Sequence, residues 1–498
     1  MKALFVSAIT LTAALAAAAP AFSAETPEYN RYTLRVPDKL VDVVAEDLDG
    51  DGLKDLVAIS VRAGKRTAGT RSVSVFYQKT GGVFSKEPDQ TWPLPPSAAA
   101  FDVGRASAGE RKAIAYIAPD GLYAYLPNGR QYGARPVQLI KEESVFSQPD
   151  PLDLPHWPVF AGLSGNAPDT VLLPCIGRLL VYTSSGSAYR LSNTLSLSTE
   201  TGFRGGEENG PDRVLTISHE VPVVEQLGFF SRNGNDLFVT WDDNADVWPK
   251  AQGGGYADRP SLKFRPGLLD ITKKGDGSLD NASIQAVDLD GDGRRDLVVT
   301  KMTGGVAQTK SLVFIYLCRK DGTFPEKPDQ TIITEGVVGP RIYDVNGDGR
   351  QDILLPSIKL GITNFINMLT SKQVNMEIGI YVQGNNGRYP DQPTKVKSVS
   401  FKLDISSLGR NARPVMEMGK FTKTAGYGLA VVSKEDRVSV YLPDRYSFIS
   451  DNPGLELKVD APTVMKLTDL NGDGVDDMIM TYNKSKANDR LVNVFISK

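Results

Sequence analysis

Four times the chain writes the same nine-residue acidic turn. It runs Asp47-Leu48-Asp49-Gly50-Asp51-Gly52-Leu53-Lys54-Asp55, and then Asp288-Leu289-Asp290-Gly291-Asp292-Gly293-Arg294-Arg295-Asp296. It returns as Asp344-Val345-Asn346-Gly347-Asp348-Gly349-Arg350-Gln351-Asp352 and as Asp469-Leu470-Asn471-Gly472-Asp473-Gly474-Val475-Asp476-Asp477. Carboxylates or an amide at the first, third, fifth and ninth positions crowd oxygens into one turn. Unscreened, those charges repel; around a hard divalent cation they become ligands, and Ca2+ is the ion that accepts such an oxygen set. The sixth-position glycines Gly52, Gly293, Gly349 and Gly474 let the chain turn sharply. The backbone carbonyl of the seventh residue, Leu53, Arg294, Arg350 or Val475, is expected to add one more oxygen. About four Ca2+ per chain are expected on this count. Mg2+ fits less well because it demands a stricter octahedron.

A helix-loop-helix calcium site begins with the same Asp-x-Asp-x-Asp-Gly pattern, but it needs an acidic ligand at the twelfth position. Here the twelfth positions are Ala58, Val299, Leu355 and Met480, all apolar and inside β-type runs. The ninth-position aspartate therefore closes the ligand set, and the ions would hold strands together rather than perform chemistry.

The spacing of the turns sets the architecture. Asp288 to Asp344 is 56 residues, Asp47 to Asp288 is 241 and Asp344 to Asp469 is 125, close to one, four and two steps of a common period. The missing steps survive as degenerate units at Phe101-Asp102, Phe160-Ala161, Leu227-Gly228 and Met418-Gly419, each leading into an apolar run. Each complete unit continues with a short strand such as Asp55-Leu-Val-Ala-Ile59. A second strand follows, ending in an aromatic as in Val73-Ser-Val-Phe-Tyr77, and then a turn such as Pro88-Asp-Gln-Thr91. Short β-branched runs between turn signals read as strands, and long-period self-similarity reads as a propeller or solenoid. The expectation is an all-β chain folding as a single β-propeller over residues 25–498, with eight four-stranded blades and seven as the alternative count. The final run Leu491–Lys498 matches a third strand, and Tyr32–Val36 matches a fourth. The N-terminal strand is thus expected to complete the last blade and close the ring.

On these residues the chain resembles the FG-GAP/VCBS repeat family, whose members form calcium-binding β-propellers like the integrin α-subunit head. Four turns fit the family pattern, and four units keep the strands without the carboxylates. The resemblance implies a propeller with Ca2+ in each acidic turn and a role in adhesion, carbohydrate binding or protein binding. It names no ligand.

Met1-Lys2, an apolar run from Ala3 to Ala19 and small residues up to Ala24 read as a secretory signal peptide over residues 1–24. The run is short for a bilayer span and rich in Ala, and no later segment is apolar enough for one. The expectation is an exported protein, periplasmic or extracellular. Cys175 and Cys318 fall in distant units and read as buried free thiols. The formal charge of −3 becomes −4 once Lys2 leaves with the signal, and four Ca2+ would bring it to +4.

No nucleophile elbow, P-loop or HExxH motif is present, and the only histidines are His156 and His219. Binding is therefore favoured over catalysis, with a polysaccharide lyase or other carbohydrate-active enzyme as the alternative. Two stretches, 196–212 and 253–281, read as insertions. The four acidic units also share a long connection between their second and third strands, whereas the degenerate units use tight turns such as Pro119-Asp120-Gly121. The connection after Lys359 is the longest, with a short helix expected around 363–369. These connections lie opposite the acidic turns and carry Lys65, Arg66, Arg71, Lys310, Lys484, Lys486 and Arg490. They are expected to form a basic face for a protein or an acidic glycan. Nucleic acid is not expected, because the aromatics that would stack on bases are not interleaved with these cations.

Overall fold

The computed structural model describes residues 26–498, apart from 64–68, 147–149, 163–166, 186–187, 198–199, 207–213, 221, 231–234, 252–254, 270–280, 305–309, 336–338, 359–372, 403–413, 425, 445–447, 484 and 486. The expected signal peptide therefore lies outside the described residues. So do Lys65, Arg66, Lys484, Lys486 and the helix expected around 363–369.

Eight antiparallel four-stranded sheets follow one another around a ring. Blade 1 contains Lys39–Glu46, Asp55–Arg62, Thr70–Phe76 and Gln90–Pro93, paired in that order. Blades 2 to 7 repeat the arrangement over residues 100–140, 160–196, 223–264, 281–335, 341–402 and 416–458. Blade 8 takes three strands, Val464–Thr468, Asp477–Thr481 and Leu491–Ser497, from the end of the chain. Its fourth is Tyr29–Arg35, which pairs with Leu491–Ser497 in the register Tyr29 to Ser497 through Arg35 to Leu491. The ring is closed as the sequence predicts.

The core lies between blades. Val57, Ile59, Val75 and Trp92 of blade 1 pack on Phe101, Ile114, Tyr116 and Tyr125 of blade 2. Seven more clusters repeat this junction around the ring, and one of them joins Leu34, Ile479, Val492 and Val494 of blade 8 to Leu40, Val43 and Phe76 of blade 1. Each sheet is covered on both faces, so the first five residues of its second strand are buried in every blade instead of alternating; in blade 1 every residue from Asp55 to Val61 is buried. A strand covered on both faces reads as a continuous apolar run.

Three expectations change. The stretch 253–281 is not wholly an insertion, because Leu262–Phe264 inside it is the fourth strand of blade 4. Three residues with Pro260 beside them are too short to register as a strand. In the stretch 196–212, Glu200–Gly206 pairs with Val214–Glu220 as an additional two-stranded hairpin. In blade 6 the third strand, Gln373–Tyr381, takes up the end of the long stretch that follows Lys359, so the connection before it is shorter than the sequence suggests. Among the described residues there is no helix, and none long and apolar enough to cross a membrane.

Candidate metal centres

Each acidic turn joins the first two strands of its blade: blades 1, 5, 6 and 8. The same hydrogen bonds build all four. In blade 1 the Asp47 carboxylate accepts from Gly50 N at 2.8 Å and from Gly52 N at 3.0 Å. Asp288 does so for Gly291 and Gly293, Asp344 for Gly347 and Gly349, and Asp469 for Gly472 and Gly474. Those paired glycines all have φ between 75° and 87°, a region closed to most side chains. The second residue, Leu48, Leu289, Val345 or Leu470, is buried in the junction with the next blade. An apolar anchor inside an acidic turn is explained by that packing.

The ninth-position aspartates open the second strands and are fully buried or nearly so. Asp55 accepts from Leu48 N at 3.0 Å and from Gln78 N at 2.8 Å. Asp296, Asp352 and Asp477 receive the same two kinds of bond. Burial pushes Asp55 up to about 7, with Asp49 and Asp51 adding to the rise against the two amide hydrogen bonds. Burial likewise raises Asp296, Asp352 and Asp477 to about 6. Burial and neighbouring carboxylates disfavour the ionised form of these aspartates, and a cation in the turn would favour it again.

Side-chain oxygens of Asp47, Asp49 and Asp55 lie within 4.8 Å of one another, as do those of Asp288, Asp290 and Asp296. The turns of blades 6 and 8 replace one carboxylate by Asn346 or Asn471, whose Oδ1 accepts from Asp348 N or Asp473 N at 3.0 and 3.1 Å. The donor set is hard oxygen throughout, which suits Ca2+ and not a thiophilic metal. The residues that would hold the ion are the side chains at the first, third, fifth and ninth positions.

Cations of the protein already touch these oxygens. Blade 2 sends a small hairpin, Pro127–Asn128 against Gln131–Tyr132, over the turn of blade 1. Arg130 at its tip binds Asp49, reaches Asp51 Oδ2 at 3.0 Å and lies over the Tyr77 ring. Arg294 contacts Asp292 and Arg350 contacts Asp348. In blade 8 Ser497 Oγ takes this place, donating to Asp473 Oδ2 at 3.0 Å.

The structure also shows roles that the sequence reading missed. Blade 4 has lost the acidic turn, yet its ninth-position equivalent, Asp236, is still buried and accepts from Phe229 N, Phe230 N and Lys250 N. The ninth aspartate is therefore a strand-start acceptor even where no ligand set surrounds it. The Pro-Asp-Gln-Thr runs fasten blades together. Gln90 exchanges two hydrogen bonds with the backbone of Tyr132, and Gln330 does the same with Tyr389.

Of the cations expected on the opposite face, Lys310 and Arg490 are exposed there. Arg71 is a correction. It is buried, and its guanidinium donates to the carbonyls of Pro95, Pro96, Asp150 and Asp153, so it braces the backbone and is not available to a partner. His156 sits before the first strand of blade 3, where its Nε2 meets buried Asp102 of blade 2 at 2.8 Å. Burial pulls its pKa down, but the hydrogen bond and charge of Asp102 outweigh that, and the net shift is upward. Cys175 and Cys318 are free thiols, both buried.

Residues 288–355 match the family described as FG-GAP-like repeat, from the first aspartate of the blade 5 turn to the second strand of blade 6. The chain is a β-propeller carrying an FG-GAP-like repeat. No curated protein matches it. Among solved structures it is similar to BBS1N in complex with ARL6DN, with 12% identity, a TM-score of 0.33 and coverage of 94% of this chain and 97% of that one. A lectin of Agrocybe aegerita that recognises non-reducing terminal N-acetylglucosamine has 14% identity, a TM-score of 0.33 and 92% coverage of both chains. Likeness at this level bears on neither ligand nor partner.

Proposed function

We propose that the chain is an exported, Ca2+-stabilised β-propeller that binds a protein or glycan partner. The observation that carries the metal part is the fourfold repetition of one hydrogen-bonded turn with a buried aspartate in every copy, and with carboxylate oxygens within 4.8 Å of one another in the turns of blades 1 and 5. The ions would staple the first two strands of blades 1, 5, 6 and 8. Partner binding is assigned to the connections on the opposite face, which are long in those same four blades and tight in the others. Loop length without a role is uncommon in compact repeats. Calcium would act on the partner indirectly, through the strands that carry these connections. A pull-down and glycan-array screen with and without Ca2+ tests the reading. A combined Lys65, Arg66, Lys484 and Lys486 to Ala variant should weaken whichever partner is captured and flatten its salt dependence. Unchanged affinity in a folded variant moves the site elsewhere. N-terminal sequencing of the exported protein should begin near Glu25.

Catalysis on a carbohydrate is the second reading, favoured by one observation: His156 is oriented by a buried carboxylate beside the first strands. Turnover of a uronic-acid polysaccharide, abolished by His156→Gln, would support it over binding.

A further inference from the structure

We infer that the four acidic turns take up metal as two coupled pairs, with Gln78 and Gln383 as the couplers; this rests on the calcium reading above. Ring order places the turn of blade 8 beside that of blade 1, and the turn of blade 5 beside that of blade 6.

In the first pair, Leu470 N donates to Asp477 Oδ2 at 2.7 Å. The Leu470 carbonyl accepts from Gln78 Nε2 at 3.0 Å and from Lys54 N at 2.9 Å. Gln78 N then donates to Asp55 Oδ1 at 2.8 Å. A hydrogen-bonded path thus runs from the ninth aspartate of one turn to the ninth aspartate of the next. The second pair repeats it atom for atom. Leu289 N donates to Asp296 Oδ2 at 2.8 Å, Gln383 Nε2 to the Leu289 carbonyl at 3.0 Å, and Gln383 N to Asp352 Oδ1 at 3.0 Å. Gln78 and Gln383 are 0% and 1% exposed, so solvent does not compete for these bonds.

The choice of residue follows the ring. The coupling position lies two residues after the aromatic that faces the second strand: Phe76, Trp248, Tyr316, Tyr381 and Phe495. Gln stands there in blades 1 and 6, the two blades that carry an acidic turn and also follow one; blades 2 and 7, which follow such a blade without carrying a turn, have Pro127 and Pro443 at the position. In blades 4, 5 and 8, whose preceding blades carry no acidic turn, the position is Lys250, Cys318 or Ser497. Each still offers its backbone N–H to its own aspartate, at 3.0, 2.8 and 2.7 Å. Their side chains bond elsewhere: Lys250 over Tyr256, Cys318 to the Arg319 carbonyl, Ser497 to Asp473. A glutamine that bridges backward occurs where there is an acidic turn at both ends of the bridge.

A cation in one turn fixes its ninth aspartate and, through the second-residue amide, the carbonyl that the glutamine holds. The fixed glutamine presents its own N–H to the next aspartate, so the second turn binds with part of its ordering already done. Linkage makes the effect reciprocal.

The test is calorimetric titration with Ca2+ of the full, chelator-stripped chain. Asp292→Ala with Asp348→Ala leaves only the turns of blades 8 and 1. That variant should take two ions with a Hill coefficient of about 1.5 or more. Adding Gln78→Met, which keeps the length but removes the amide, should return the coefficient to about 1 with two ions still bound. The mirror set, Asp51→Ala with Asp473→Ala, isolates blades 5 and 6 and should respond the same way to Gln383→Met. Should either Met variant not fold, Asp473→Ala alone should still weaken uptake at blade 1 by about fivefold or more while leaving blades 5 and 6 unchanged. Independent binding in both isolated pairs, or equal weakening of all the remaining sites by Asp473→Ala, overturns the coupling and leaves the calcium reading standing. No uptake by the unmodified chain overturns both.

Discussion

At the residue scale, the aspartates of one turn divide into two kinds of work. The ninth is buried and serves backbone N–H groups; the fifth is exposed or half-buried and accepts from one neighbouring amide, as Asp292 does from Arg294 N at 2.8 Å, and from an arginine or serine side chain beside it. Substitution separates the two. Asp236→Ala, in a blade without an acidic turn, strands three N–H groups and should cost about 3 kcal/mol in denaturant melts, equally with Ca2+ and with chelator. Asp292→Ala should cost little in chelator and lose only the stabilisation that Ca2+ adds at that site. His156 offers a pH test. Its folded pKa is raised by Asp102 despite burial, so the protonated form is favoured on folding. The associated stability is fully present below the unfolded histidine pKa of about 6.5, and is lost as pH rises through the higher folded value. With only two histidines in the chain, an NMR titration should show one imidazole titrating late, and His156→Gln should remove that resonance and the alkaline loss of stability.

At the element scale, closure depends on one N-terminal strand. Tyr29–Arg35 carries Leu34, and Val36 follows it into the junction with Leu40, Val492 and Val494. Leu34→Ala should cost about 2–5 kcal/mol, and removal of residues 26–36 should expose the edge of Leu491–Ser497 and lower the melting temperature of the whole ring. Aggregation on heating, followed by light scattering, should rise with it. This closure was legible in advance because Tyr32–Val36 shares its pattern with the fourth strands of other blades. The turns were legible too, since their ligand types recur at fixed offsets. The hairpin carrying Arg130 was not, because two-residue strands leave no periodicity. Arg71 misled because a buried arginine that braces carbonyls looks, in sequence, like an arginine facing solvent. The glutamine couplers were hidden for another reason: Gln78 has meaning only beside Leu470, which is far away in the chain and adjacent in the ring.

At the scale of the whole molecule, metal uptake would change the sign of the protein. The chain without residues 1–24 carries a formal −4, and each Ca2+ adds two charges. One loaded pair would bring the net charge to zero; both pairs would bring it to +4. Native electrophoresis at neutral pH should therefore show anodic migration in chelator and cathodic migration in calcium. Coupled pairs should add a nearly immobile species at intermediate calcium, without strong bands at odd ion counts. Migration toward the anode in both conditions would mean that no more than one ion is held. The reversal matters for partners because a +4 ring attracts an acidic surface that a −4 ring repels, and salt screens both effects. An acidic glycan or protein should then be retained in calcium at low salt and released by either chelator or salt. Chelator removes the charge and the strand staples together, whereas salt removes only the attraction. A partner that salt leaves bound and chelator releases would be held by the geometry of the connections, and one that both release equally would be held by charge.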